Sequence, residues 1–444
     1  MGHGHVSCLN PQSKIATPNI DRLARQGITF TDAHSGSAVC SPTRYGLLTG
    51  RYAWRTRLAS GVLKPYDPPL IEAGRLTLPA MLKQQGYHTA CIGKWHLGWD
   101  WPKGSGDAPD FSKAIAGGPT TRGFDFYFGT DVPNYPPYCF LENDRTVGQP
   151  TAMRTERGLD GRPGPMLLGW RFDAILATLT ERAAGYLNER AADAKPFFLY
   201  FPLTSPHEPI APSADFRGKS GLNNPLADFL LQTDASVGAV MDQLDRLGLA
   251  DKTLLIFTAD NGSSMYTGGQ QLLAAGHNPN GRFRGHKGTI YEGGHRVPFF
   301  ARWPGKIRPG SKSDETICLT DLMATVAAAV GRELPATAGE DSCSILPALV
   351  GQNRDRPLRE ATVHQAGNGR LAIRQGPWKY ILPDPPAPKG KGKPAPKTAA
   401  QAELYNLAVD PAEEHNVLAE HPDVAKRLSQ LLGQYRRQGF SRPL

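Results

Sequence analysis

The residues able to do chemistry in this chain are one cysteine, one arginine, two lysines, two histidines and an adjacent aspartate and asparagine, strung over more than half its length. Cys40 opens the run Cys40-Ser-Pro-Thr-Arg44, and Pro42 just inside a helix-compatible stretch reads as a first-turn proline. The thiol therefore sits at a helix N-terminus, where converging N–H groups favour negative charge on a nucleophile or an anionic substrate. A cysteine ahead of a proline is by itself most often a small buried hydrophobe. Here Arg44, one turn on, can hydrogen-bond whatever occupies position 40 and cannot lose its charge. Lys94 and His96 alternate, so extended backbone would put both on one face. His207, in Ser205-Pro-His207-Glu-Pro209, follows an apolar strand, at the end where open parallel sheets place ligands. Asp260 and Asn261 top another apolar strand and offer two oxygens of the kind a hard cation such as Ca²⁺ or Mg²⁺ takes. Lys287 lies in a glycine-punctuated basic loop, flexible enough for backbone to approach an anion.

The elements that must position these groups are legible in outline. Thr17, Pro18 and Gly27 bracket a short helix, and Ile28 to Ala33 reads as the strand that leads to Cys40. Thr77 to Gly86 predicts a capped helix, followed by a strand from Tyr87 to Ile92 that delivers Lys94 and His96. Residues 99 to 170, rich in Gly, Pro and aromatics, read as loops shaping a pocket, with Asn134, Tyr135 and Tyr138 as candidate contacts to a sugar or ring. Phe172 to Ala192 and Leu226 to Leu247 predict helices. The runs Pro196 to Pro202 and Thr253 to Thr258 are apolar throughout, as strands buried on both faces are. After about residue 305 the pattern changes to an alanine-rich helix (Asp321 to Val330), short strands with a hairpin at Gln375-Gly-Pro377, and a closing helix from about Pro422 to Gln438. Residues 383–400 are a low-complexity basic loop that cannot bury a core and is expected to be disordered. The domains expected are 1–304, carrying the chemistry, and 305–444. His3 and His5, close to the start, are expected to be flexible terminal residues, and His295 structural.

Composition narrows the classes. The 444 residues hold 50 Lys and Arg against 41 Asp and Glu, a net charge of +9, which suits anionic substrates and does not indicate nucleic acid. Six scattered cysteines without a C-x-x-C pair indicate neither a zinc ribbon nor a disulfide scaffold. No apolar run approaches the ~20 residues of a membrane span. The chain as given shows no signal peptide.

Cys40-Ser-Pro-Thr-Arg44, continued by Leu47-Leu-Thr-Gly-Arg51, resembles the signature of type I sulfatases, of the arylsulfatase A and N-acetylgalactosamine-6-sulfatase kind. Gly93-Lys-Trp-His-Leu-Gly98, the Asp260-Asn-Gly262 turn, the Lys287 loop and the C-terminal pattern resemble further signatures of that family in its order. A thiolate phosphatase would want arginine six places after the cysteine, where this chain has Gly46. The resemblance implies the alkaline-phosphatase superfamily fold, α/β with a mixed, mostly parallel sheet sandwiched by helices and a smaller C-terminal α+β domain with an antiparallel sheet. It implies hydrolysis of a sugar or aryl sulfate ester through a formylglycine made from Cys40 by a formylglycine-generating enzyme. The implied catalytic residues are Cys40, Arg44, Lys94, His96, His207 and Lys287; Lys94, His207, Lys287 and Asn134 would contact substrate; Asp260, Asn261 and Cys40 would hold Ca²⁺, or Mg²⁺. The alternatives are a phosphonate or phosphate ester hydrolase of the same superfamily and a metal-deficient pseudoenzyme. Similar sulfatases begin with an apolar strand ending in two aspartates, just before a stretch like Met1 to Cys8. The expectation is therefore that this strand and its two carboxylates are missing from the chain as given, and that the full-length form carries them behind a signal for the periplasm or secretion.

Overall fold

The computed structural model describes residues 1–104, 109–158, 160–352, 355–385 and 400–443. The α/β class holds, with mixed sheets and covering helices. Two principal sheets form the larger part. One orders the strands Leu255–Thr258, Phe299–Arg302, Ile28–Phe30 and Ser311–Ser313; the other orders Arg145–Thr146, Leu141–Glu142, Phe126–Thr130, His88–Lys94 and Phe197–Tyr200. In the second, His88–Lys94 runs parallel to both of its neighbours. In the first, Ile28–Phe30 pairs antiparallel with Phe299–Arg302 and parallel with Ser311–Ser313, so sheet pairing crosses the boundary expected at residue 304.

Helices cover both sheets because their apolar stripes match the faces they meet. Pro18–Gln26 and Pro225–Arg246 place Ile20, Leu23, Leu230 and Met241 against Phe300. Leu179, Ala183 and Tyr186 of Ile175–Ala191 pack on Ala90, Ile92 and Phe128. Each fully buried large apolar side chain stabilises the fold by about 1.5–3 kcal/mol. The cap expected at Thr77 forms on the helix Leu78–Gln84, and Asn224, which the sequence reading did not single out, caps Pro225–Arg246, its Oδ1 accepting from Leu226 and Ala227. Thr17 does not cap; its hydroxyl is taken up by Ser7 and Asp21.

Three expectations need correction. The strands Phe197–Tyr200 and Leu255–Thr258, expected to be buried on both faces, are half-exposed at every residue, because each ends its sheet and has a strand on one side only. His3 and His5 are not flexible. They form a turn of 3₁₀ helix in which His5 is fully buried, bonded to His277 and Ser263. Segment 99–170 is more than loops, since it contributes three strands to the second sheet and a separate hairpin, Ala152–Arg154 with Gly164–Met166.

The C-terminal part is a four-stranded antiparallel sheet of Thr362–Gln365, Leu371–Gln375, Trp378–Ile381 and Glu403–Asn406, with the predicted hairpin turning at Gly376. Helix Pro422–Gln438 lays Leu428, Leu432 and Tyr435 on Val363, Ile373 and Leu404. Most of the basic loop expected at 383–400 lies outside the described residues. Among the described residues no helix is long and apolar enough to cross a membrane.

Candidate active site

The helix Cys40–Thr49 begins at Cys40 itself, as the position of Pro42 predicts, and ends at Gly50, whose left-handed φ of 63° brings its Cα too close to Gly339 for a side chain. The strand His88–Lys94 ends beside it. Gly93 makes that possible, since at its φ of 135° a Cβ would stand 2.1 Å from the Pro202 carbonyl oxygen. Lys94 N–H then donates to that same oxygen at 2.8 Å, which ties the Lys94 strand end to the segment leading to His207. Arg44 binds the remaining parts together, donating from Nη1 to the Lys94 carbonyl at 2.8 Å and from Nη2 to Asp260 at 2.9 Å.

Lys94 and His96 do converge, though not by alternation. The strand stops at Lys94, and His96 takes a left-handed φ of 56°, held by its N–H bond to Asp131. Its Nε2 lies 3.0 Å from the Leu63 carbonyl. A carbonyl only accepts, so Nε2 carries the proton and Nδ1 is left as an acceptor toward Cys40. His207 is anchored the same way, Nδ1 donating to the Glu208 carbonyl at 2.8 Å with the Glu208 carboxylate at 3.2 Å. Its Nε2 is thereby the nitrogen free to exchange a proton.

Cys40 is the focus of this field. Burial would push its thiol up, but Lys287 and Lys94, with hydrogen bonds to His207 and His96, hold it well below the usual thiol range. Burial pushes Lys94 down, with Arg44 adding to the effect and Cys40 opposing it. Lys287 goes up despite burial, because Cys40, Glu208 and Asp260 surround it. Burial and the two lysines hold His207 below its usual range. Lys94 Nζ and Arg44 Nε are buried without a hydrogen-bond partner. Donors left orphaned at such a cost await an acceptor.

A cavity of about 50 Å³ opens onto this set, lined by Arg44, Lys94, His207, Asp260, Asn261 and Lys287 together with Met1, Thr204, Glu208, Ser263 and Thr267. Its volume suits a small anion and is too small for a sugar. Cys40 and His96 do not line the cavity themselves, but Cys40 is tied to its wall through Asn261 and His207 and to His96; Asn134 lies beside Tyr135, its carbonyl within reach of the Tyr138 hydroxyl, and does not line the cavity either. Sequence reasoning passed over Glu208, although its place next to His207 marks it as the group able to steady that imidazole, and Thr267, which binds Glu208 at 3.1 Å.

The cation implied for Asp260, Asn261 and Cys40 can be tested on these donors. Asn261 Oδ1 is 3.6 Å from Cys40 Sγ, and Asp260 is paired with Arg44. One carboxylate and one amide fall short of the 6–8 oxygens that Ca²⁺ draws on. The donor set among the described residues does not fit that ion. The groups elsewhere with metal-ligand spacing, His34 with His295 and His364, Asp32 with His34 and Glu292, and Asp410 with Glu414 and His415, do not line the cavity.

Residues 1–332 match the protein family described as Sulfatase. An N-acetylgalactosamine-6-O-sulfatase of Bacteroides thetaiotaomicron is 36% identical over 97% of this chain and 90% of its own length, and human arylsulfatase A is 32% identical over 97% and 85%. A solved Bacteroides thetaiotaomicron sulfatase, described in connection with the metabolism of multiple glycosaminoglycans, superposes with a TM-score of 0.86 at 35% identity, covering 98% of this chain and 97% of that one. With a buried cysteine held among two lysines and two histidines over an anion-sized cavity, this chain belongs to the sulfatase family and is a sulfuric ester hydrolase.

Proposed function

We propose that the chain hydrolyses a sulfate ester on a carbohydrate, with 6-sulfated N-acetylgalactosamine the first substrate to try, and that Cys40 is the residue converted to the nucleophile. The observation that carries this reading is the orphaned Lys94 ammonium beside a buried Cys40. Formylglycine at position 40 would supply, once hydrated, a hydroxyl nucleophile where Sγ now stands. The residues around it fit that group: His96 Nδ1 and His207 Nε2 are acceptors for a hydroxyl proton, and Arg44 is locked one turn along the same helix.

Lys94 and Lys287 bind the sulfate oxygens and stabilise the charge that grows on them, a preorganised term that is often the largest in catalysis. His207 holds a proton at Nε2 and returns it to the leaving oxygen, its Nδ1–H steadied by Glu208. Arg44 keeps Asp260 and the Lys94 strand end in register. Family membership carries a divalent metal as a rule; the donors Asp260 and Asn261 are too few to hold one. A phosphate ester would match the cavity in charge and shape, but the relatives favour sulfate. The test is a parallel assay of sulfated sugars, aryl sulfates and the matching phosphates, with mass analysis of the Cys40 peptide. Sulfate-selective turnover with a peptide lighter than encoded and reactive to carbonyl reagents is expected. Full turnover by Cys40→Ala, or preference for phosphate, would overturn the reading.

A further inference from the structure

The cavity is too small for a sugar, so the rest of the substrate must lie on the surface beyond it, and one wall of that surface is built in an unusual way. Tyr135, only 7% exposed, stands edge-on to His96 with ring centroids 5.7 Å apart at 82°, and its hydroxyl lies within the electrostatic reach of Cys40 and Lys287. On its other side the Arg162 guanidinium lies over the ring at 4.2 Å and donates to the hydroxyl at 3.2 Å. Arg162 is at the end of the turn between the strands Ala152–Arg154 and Gly164–Met166. The backbone there is pinned on both sides: the buried Tyr138 hydroxyl accepts from Arg162 N–H and donates to the Arg162 carbonyl, each at 2.7 Å. A side chain at Gly161 would collide with the same hydroxyl, 2.7 Å from its Cβ.

The result is an exposed cation held in place one aromatic ring away from a histidine beside Cys40. On the same hairpin the partly buried Arg154 has a carboxylate partner, Glu156. Among the described residues Arg162 has none. Its bond to Tyr135 uses one N–H, and the rest of the planar fork is open to solvent with the geometry that receives a carboxylate or sulfate in bidentate fashion.

We propose that Arg162 is a specificity-determining residue that binds a second anionic group of the substrate, a carboxylate or a further sulfate on the glycan, about one sugar ring from the ester being cleaved. This rests on the sulfated-carbohydrate reading above. Because the group lies far from the reacting sulfur, it contributes to binding ground state and transition state alike and acts on KM rather than kcat.

The experiment compares three 6-sulfated oligosaccharides of equal length whose neighbouring sugar is neutral, carries a uronic carboxylate, or carries a second sulfate. Each is assayed with wild type, Arg162→Gln and Arg162→Lys. Wild type is expected to show a KM lower for the charged substrates, by roughly 5- to 20-fold as a charge-assisted hydrogen bond provides, with a like kcat. Arg162→Gln removes that difference and leaves the neutral substrate unaffected, which also shows that the variant is folded; Arg162→Lys keeps part of it. The carboxylate and sulfate arms show which anion is preferred. A KM ratio between charged and neutral substrates that is unchanged in Arg162→Gln, or is absent in wild type, overturns the assignment of Arg162 while leaving the sulfatase reading intact. Failure of wild type on all three esters overturns the carbohydrate reading and this proposal with it.

Discussion

Two clusters of charge are buried in this molecule, and they are finished differently. Around Cys40, Lys94 Nζ and Arg44 Nε are buried with no hydrogen-bond partner. At the seam between the larger part and the C-terminal sheet, Asp32, Glu292 and Glu413 meet Arg296, Arg374, Lys379 and three histidines, and each carboxylate and imidazole there has a partner. Asp32 receives both Arg374 Nη groups at 2.7 and 2.6 Å and His34 at 2.7 Å. Lys379 is shared between Glu292 at 3.0 Å and Glu413 at 2.8 Å. His34 meets His295 at 3.1 Å, and His364 rests on the Ser35 carbonyl at 3.2 Å and Thr362 at 2.9 Å. In the second cluster every ion has a counter-ion, although Arg296 Nε and Glu413 Oε1 lack a hydrogen bond, and it joins two parts of the chain. The first is complete only with an anion. Burial of charge does not by itself distinguish function from structure; satisfaction does.

The sharpest way to break the comparison is at Cys40. Cys40→Ala is expected to lower turnover on the order of 10⁶-fold, the loss typical of a nucleophile, with a melting temperature close to wild type; residual turnover within tenfold of wild type would remove Cys40 from the chemistry. Next come Lys94→Ala and Lys287→Ala, each expected to cost roughly 10²- to 10³-fold for every sulfate ester alike. Lys94→Met sharpens the contrast, since discarding an unpaired buried cation should leave stability unchanged or raised while the rate falls. A destabilised Lys94→Met would mean that the pocket is not short of acceptors.

In the completed cluster the expectation is reversed. Lys379→Met strips the partner from two buried carboxylates and should lower unfolding free energy by about 3–5 kcal/mol, read by denaturant titration, with kcat per folded molecule unchanged. The smallest effect is on pH. Burial lowers His34, His295 and His364 below their usual 6.5, so they fold uncharged while the unfolded chain takes up protons. Their contribution to stability is present above pH 6.5 and lost as pH falls below it. Glu413, raised by burial from 4.5 to about 7, works the other way and loses stability as pH rises through that window. With three histidines against one carboxyl, stability should fall on acidification from pH 6.5, and His364→Gln should flatten the slope; an unchanged slope would count against neutral imidazoles in the fold.

What the sequence determined by itself was local. The Cys40 helix start, the Thr77 cap, the Gln375-Gly-Pro377 hairpin and the order of the signature motifs depend on near neighbours, so single-chain patterning carries them. That Cys40, Lys94, His96, His207, Asp260, Asn261 and Lys287 meet was legible only through the family resemblance; their spacing along the chain is silent on it. Tertiary structure decided what depends on distant partners. His96 aims at Cys40 through a left-handed turn held by Asp131, where alternation pointed to extended backbone. His5 is locked by Ser263 and His277, more than 250 positions away. The apolar strands Phe197–Tyr200 and Leu255–Thr258 look the same in sequence whether a sheet continues past them or stops, because hydrophobicity records burial by faces and says nothing of the hydrogen-bonded edge. Arg162 is likewise one arginine among many until Tyr135 and Tyr138 fix where it stands.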